Sequence, residues 1–298
     1  MPALGFPTLD QLRVFLAVVQ AGSFSGAARA LNRRQSVVSY TVATLEQQLG
    51  GLILFDRSRR RPVLTEAGTA MLAEARKLTA GADELRARAR GMLQGLEAEV
   101  GLAVDVMVPS AHLVRLLSSF QEAFPTVGLR LFTESLGSVA RLVLDGTCVI
   151  GVTGPRMFET DSLVTRPLGA VTMVPVAAPK HPLARHAGPV PRDQIKRHVQ
   201  LVLTDRSELT KGHDFAVLSP QTWRLADLGA KHALLLEGLG WGNMPEHTVS
   251  ADIASGRLAH LTIADLPDHS YGFSAIHRSD APPGPAGQWL LERLGEMT

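Results

Sequence analysis

The chain has 298 residues, 45 % of them apolar and 19 % charged, with a formal net charge of +2. That length accommodates two or three domains with a substantial core, and that composition excludes disordered and collagen-like classes. The charge is uneven: residues 1–65 hold eight Arg against Asp10, Glu46 and Asp56, so the head carries +5 and the remainder −3. A basic head on a slightly acidic body points to a polyanion met by the head alone. The single cysteine, Cys148, excludes an internal disulfide, which fits a reducing compartment. No apolar run approaches membrane-spanning length and no signal-peptide pattern is visible, so a cytoplasmic protein is expected, with no membrane partner.

In chain order, residues 23–31 predict a short helix capped by a hydroxyl, Ser23 or Ser25. Ala27 and Ala28 leave room for another helix to cross closely. After a break at Asn32-Arg33-Arg34 the run 35–49 restarts helically, with Val38, Val42, Leu45 and Leu49 on one face. The opposite face carries Gln35, Ser36, Ser39, Tyr40, Thr44 and Gln47, hydrogen-bonding groups that reach base edges in a major groove. Arg33, Arg34, Gln35, Ser36, Ser39 and Tyr40 are thus candidate DNA contacts. Gly50-Gly51 ends the helix, residues 53–55 predict a strand, and Arg57-Ser58-Arg59-Arg60-Arg61-Pro62 a cationic hairpin tip returning through 63–64. A solvated basic loop has the same composition. Placed directly after a helix-turn-helix, Arg59, Arg60 and Arg61 suit phosphate contacts flanking the groove.

A long helix then opens at Thr65, an N-cap, with Glu66 near the positive end of its dipole. Met71, Ala75, Leu78, Ala82, Leu85, Ala89, Met92 and Leu96 form a heptad seam. That seam predicts a dimerising helix; one long helix packed on its own body is the alternative. Gly91 and Gly95 mark its end and a hinge over 91–99.

From Val100 strands and helices alternate: strand 102–108, helix 110–124, strand 127–132, helix 138–145 and strand 147–152. This order implies a parallel sheet covered by helices. A second unit follows, with strands 171–178, 199–203, 241–245 and 257–261 and helices 225–237 and 247–255. Strand 271–276 and helix 286–294 return the chain to the first sheet.

The elements Phe15, Gly22-Ser23-Phe24-Ser25, Ala27-Ala28, Leu31, Gln35, Ser39, Leu45-Glu46, Leu49-Gly50, Leu54-Phe55, Arg57, Leu64-Thr65 and Ala67-Gly68 stand in register with one family. The segment resembles the winged helix-turn-helix of LysR-type transcriptional regulators. Arg34-Gln35-Ser36 stands where that family usually has Ser-Gln-Pro, and Tyr40 where it usually has a basic residue or His. Phe124-Pro125, Leu144-Asp145-Gly146, His181-Pro182-Leu183, Gly240-Trp241 and Gly256-Arg257-Leu258 carry the resemblance through the body, although Thr147-Cys148-Val149-Ile150-Gly151 lacks the family's usual acid.

The resemblance implies an α/β chain overall. Residues 1–65 would be an all-α winged helix-turn-helix and 66–95 a dimerisation helix. Residues 96–298 would be a two-lobed, periplasmic-binding-protein-like effector domain, with lobe I at 96–168 and 268–298 and lobe II at 169–267. Crossings between the lobes would lie near 165–169 and 265–271. It implies a non-enzymatic regulator without cofactor. Its partners would be double-stranded DNA carrying an interrupted inverted repeat near a promoter, a small organic effector, a second copy or tetramer of the chain, and RNA polymerase.

In such a domain the ligand sits beyond the carboxyl ends of the strands. That places Ser110, Ser135 and Thr153 from one lobe and Thr204 and Asn243 from the other as effector contacts. Ser110 opens a helix that favours a carboxylate or merely caps it. The competing class, an α/β enzyme or solute-binding protein with a basic appendage, lacks a catalytic constellation. A purely architectural DNA protein leaves the large body unexplained. His181 and His186 have no partners to complete a zinc set. Gly238-x-Gly240-x-Gly242 follows a helix and so is no dinucleotide loop.

Overall fold

The computed structural model describes residues 5–58, 61–93, 95–155, 160–204, 207–210, 216–264 and 267–296. They fall into two compact units, Met1–Arg90 and Gly91–Thr298.

In the first unit, α1 (Leu9–Ala21) starts with a reciprocal cap: the Gln11 N–H donates to the Thr8 hydroxyl at 3.3 Å, and the Thr8 N–H donates to Gln11 Oε1 at 2.7 Å. For α2 (Phe24–Ala30) the cap is Ser23, whose Oγ accepts the Gly26 N–H at 3.0 Å. Helix α3 (Gln35–Gln48) buries Val38, Val42 and Leu45 against α1 and the small residues Ala27 and Ala28. Two short strands follow, β1 (Phe55–Asp56) and β2 (Val63–Leu64), antiparallel with Phe55 opposite Leu64.

The first strand begins at Phe55 and not at residue 53, because the preceding backbone groups are satisfied elsewhere. The Leu54 N–H donates to the Glu46 carboxylate at 2.8 Å, and the Ile53 carbonyl accepts the Thr65 hydroxyl at 2.6 Å. That hydroxyl also accepts the Gly68 N–H at 2.9 Å and so caps α4 (Glu66–Leu93) as expected. Gly68 passes so close to the loop before β1 that a Cβ would overlap the Leu54 carbonyl oxygen. Helix α4 stops at Leu93, short of residue 96, and Gly95 at φ +80° reverses the chain.

The heptad seam divides. Ala75 is buried in the core of the head with Met71 packed beside it, whereas Leu78, Leu85 and Met92 are 55 %, 70 % and 64 % exposed on the isolated chain.

The second unit is one mixed sheet with helices packed on it. Its elements are β3 (Glu99–Asp105), α5 (Ser110–Ala123), β4 (Gly128–Glu134), α6 (Gly137–Leu144), β5 (Ile150–Thr153), β6 (Leu163–Ala177), α7 (Arg192–Ile195), β7 (Gln200–Leu203), β8 (Thr222–Leu225), α8 (Leu228–Leu236), β9 (Trp241–Pro245), α9 (Glu246–Ala254), β10 (Ala259–His260), β11 (His269–Arg278) and α10 (Pro285–Gly295). The strand order is β4-β3-β5-β11-β6-β9-β7-β8, with β10 on β6. Strands β3, β4 and β5 are parallel, as the alternating pattern predicts, but β11 runs antiparallel to both β5 and β6.

Residues 165–169, expected as a crossing between the lobes, lie within the 15-residue strand β6, with Thr165 paired to Ile276 and Pro167 to Ser274. Two expectations are corrected. The expected helix 225–237 starts later, at Leu228, and Leu225 closes β8, because Asp227 Oδ1 accepts the Ala230 N–H at 2.5 Å and starts the helix only there. Strand β3 ends at Asp105 and not at 108, since that carboxylate turns back to accept the Met107 N–H at 2.9 Å.

Candidate functional site

Two surfaces carry the chemistry. On α3, Gln35, Ser36 and Tyr40 are exposed, Tyr40 at 73 %, and Ser39 is half-buried. None of the four side chains donates or accepts a hydrogen bond among the described residues. The helix enters with Arg34 as N-cap residue and no side-chain cap bond, so its first N–H groups are open as well. Thr44 is different: its hydroxyl donates to the Tyr40 carbonyl at 2.9 Å. Arg33 is held by a two-pronged pair with Asp10, at 2.7 and 2.8 Å, while Arg34 is exposed.

The wing is braced from inside. Glu46 on α3 accepts the Leu54 N–H and, at 3.0 Å, the Arg57 guanidinium, which also lies 5.0 Å over the Phe24 ring. Arg57 therefore fastens the wing to α3. Of the tip residues Arg61 is exposed; Arg59 and Arg60 lie outside the described residues.

The second surface is a cleft in the body with about 540 Å³ of space open to solvent. Both halves of the sheet line it, among others through Met107, Leu136, Met173, Lys231, Asn243 and Tyr271. The five residues expected there do not all converge. Asn243 lines the cavity. Ser135 is buried and donates its hydroxyl to the Thr204 carbonyl at 3.2 Å, which joins the two halves. Thr153 is buried at the end of β5. Ser110 is exposed in the first turn of α5, where Pro109 holds the N-cap position, so Ser110 is not the cap. The start of that helix borders a separate apolar cavity lined by Val108, Pro109, His112, Val171 and Phe273.

Three groups at or behind the cleft wall escaped the sequence reading. Lys231 is 3 % exposed and donates to the Asn243 carbonyl at 2.6 Å. Its signal was its place on the apolar face of α8, with Leu228 and Leu235 at i−3 and i+4. Asp105, 1 % exposed, was an acid inside an apolar run. Tyr271 donates its hydroxyl to Asp105 at 3.0 Å, and Asp105 also accepts the Leu136 N–H at 3.3 Å. Leu136 adopts φ +49°, a conformation strained for a branched residue, at the edge of the cavity. Gly154 packs so tightly on the Tyr271 ring that no Cβ fits.

Burial pushes the Asp105 carboxyl up to about 6 despite its hydrogen bonds to Met107, Tyr271 and Leu136. The folded value lies above 3.8, so the fold prefers the protonated acid. This contribution is complete below pH ~4 and is lost as pH rises through about 6. It amounts to about 3 kcal/mol between those limits. Unfolding measured from pH 4 to 7.5 should show this decline in the wild type and not in Asp105→Asn. Parallel pH profiles for the two proteins refute it.

Burial also pushes the Cys148 thiol up to about 11, an inert core group, and the buried His181 imidazole down to about 4. Among the described residues no group of His, Cys, Asp or Glu is placed to hold a metal ion, and no helix is long and apolar enough to cross a membrane.

Comparison with known proteins adds to this geometry. Residues 9–69 match the model of the bacterial regulatory helix-turn-helix protein, lysR family, and residues 93–298 match that of the LysR substrate binding domain. The chain is 31 % identical over 296 residues to the probable HTH-type transcriptional regulator YhaJ of Escherichia coli, covering 97 % of this chain and 96 % of the relative. It is 30 % identical over 253 residues to the HTH-type transcriptional activator AllS of Klebsiella pneumoniae, covering 84 % and 93 %. Among solved structures, the fold is similar to full-length LysG of Corynebacterium glutamicum with bound effector Arg, at TM-score 0.51, 20 % identity and 97 % coverage of both chains. A cysteine mutant of OxyR from the same organism gives TM-score 0.53 at 20 % identity, covering 98 % of this chain and 93 % of that one.

Proposed function

Because the chain belongs to the LysR family of helix-turn-helix transcriptional regulators, we propose that it reads an interrupted inverted repeat near a promoter and is controlled through the cleft of its body. Residues 1–65 read DNA, 66–95 pair two copies, and 96–298 bind a small organic effector, with dimers assembling into a tetramer that contacts RNA polymerase. The reading as a non-enzyme rests on the relatives, which are named as regulators. The LysG structure, with its bound effector Arg, supports an effector-bearing body of this fold.

One observation carries the DNA assignment: the outward face of α3 presents Gln35, Ser36 and Tyr40 exposed and without hydrogen-bond partners among the described residues, beside the exposed Arg34. A helix that leaves polar side chains and its own N-terminal amides uncommitted is ready to exchange water for base edges and a phosphate. Gln35, Ser36, Ser39 and Tyr40 read bases; Arg33, Arg34, Arg59, Arg60 and Arg61 hold the backbone. Arg33 does so only if phosphate displaces Asp10, an exposed pair worth little.

Two substitutions separate these roles. Arg61→Ala is expected to weaken operator and random DNA about equally and to lower the salt slope by roughly one. Gln35→Ala is expected to lose operator preference by ~1–3 kcal/mol. Salt-titrated binding to operator and scrambled duplexes measures both. If Arg61→Ala changed sequence preference while Gln35→Ala did not, the roles would be reversed.

A further inference from the structure

Lys231 is a buried cation in the body. It lies on α8 between Leu228 and Leu235, 3 % exposed, and its stem occupies space that only a glycine leaves: a Cβ on Gly242 would come within 3.2 Å of Lys231 Cε. An ammonium has three protons to donate. One goes to the Asn243 carbonyl at 2.6 Å, and the other two have no partner among the described residues.

Among the described residues no carboxylate neutralises it, and the acids of the surrounding elements are committed. Asp252 is held by His232 and Arg257, Asp227 caps α8, and Asp105 accepts from Tyr271, Met107 and Leu136. Leaving a buried cation unpaired is strongly unfavourable. Burial accordingly pushes its pKa down to about 8, so at neutral pH it is still mostly protonated.

This cation lines the cleft, and the rest of the lining sets the shape of what would pair with it. Met107, Leu136, Met173, Val202 and Leu203 offer apolar contact, while His269 and Tyr271 are the other titratable side chains at the cavity wall, with Asp105 behind Tyr271. No second Lys or Arg lines the cavity among the described residues. Among the described residues the apolar cleft thus offers one cation, which matches one negative charge rather than the several of a phosphate ester or a dicarboxylate.

We propose that the effector of this chain is a small monocarboxylic acid with an apolar body, its carboxylate paired with the Lys231 ammonium and its body packed on Met107, Leu136 and Met173. This rests on the reading of the cleft as the effector site. It moves the carboxylate from the exposed helix start at Ser110 to the buried amine of α8. The pair is a charge-assisted hydrogen bond in a low-dielectric site, where such bonds are strongest.

The test is calorimetric titration of the full-length protein with butyrate and phenylacetate, their neutral isosteres butyramide and phenylacetamide, and the cation phenethylamine. The acids are expected to bind the wild type roughly 10–100-fold more tightly than the matched amides. Lys231→Met should abolish that preference. Methionine keeps the length of the side chain and removes the buried charge, and the unfolding transition of the same sample shows whether the variant is folded. Met173→Trp, which fills the cleft, reports separately on the site.

Amides or the amine binding as well as the acids, with Met173→Trp abolishing all of them, would overturn the monocarboxylate and leave the cleft as the effector site. Binding that survives Met173→Trp would remove the site reading and this inference together. Failure of both acids to bind at millimolar concentration overturns the inference as well.

Discussion

Leu78→Asp combined with Leu85→Asp is expected to lower affinity for a duplex bearing two half-sites by roughly 10²–10⁴-fold while leaving affinity for a single half-site close to that of the wild type. The argument starts from the division of the seam. Its N-terminal part is consumed inside the head, where Ala75 is buried, whereas Leu78, Leu85 and Met92 stand out from a helix that runs to Leu93. These residues recur every seven positions, the period at which one helix meets another along its length. Exposed leucines in such a row are unfavourable in water and favourable against a second copy. Aspartates at both positions would place like charges across the pair. Each separated head would then bind DNA alone, without the effective-concentration gain of a tethered partner. Sedimentation and half-site titration measure the two consequences. An intact dimer with undiminished two-site affinity would show that this row does not join the copies.

Gly68→Ala should destabilise the head by about 3 kcal/mol and loosen the wing, a large effect for one added methyl group. The methyl would overlap the Leu54 carbonyl oxygen and press on Leu64 Cδ2 at 2.9 Å. Backbone cannot step aside as a side-chain tip can, and this carbonyl also accepts the Thr65 N–H at 3.0 Å. The clash therefore pushes apart the loop before β1 and the start of α4, the two segments that hold the wing hairpin. Thermal unfolding and operator affinity should fall together. A change within ~0.5 kcal/mol, as at an ordinary surface position, would mean that the backbone relaxes freely there.

The head was legible residue by residue because its signals are local. A hydroxyl three residues before an open amide caps α2 and α4, and apolar residues at helical spacing bury α3. The bracing role of Arg57 was not legible, for the opposite reason. Its role depends on Glu46, eleven positions away, and no local pattern distinguishes a bracing arginine from a phosphate-seeking one. In the body the parallel start β3-β4-β5 followed from alternation, but β6 did not: its first half carries Pro167 and Gly169 and reads as a loop, and only pairing with β11 makes it strand. The cleft was hardest, since its contacts come from the turn after β3, the residue before α6, and β6, β7, α8, β9 and β11. Small polar residues at strand ends were a reasonable guide, and Asn243 does line the cavity. Lys231 and Asp105, however, are defined by burial, which a sequence shows only as a charge among hydrophobic neighbours.

Strands β6 and β11 run side by side from Leu163 and Arg278 at one end to Met173 and His269 at the other. The two halves of the body thus share a continuous ribbon, and one irregularity interrupts it, between Gly272 and Ser274, with Pro167 opposite Ser274. A jaw swings on slack connectors; a ribbon of this kind resists opening and yields chiefly in torsion. If the effector does bind beside Tyr271, one residue from that irregularity, it would press where the ladder is broken, and a twist imposed there would be passed along both paired strands to their far ends.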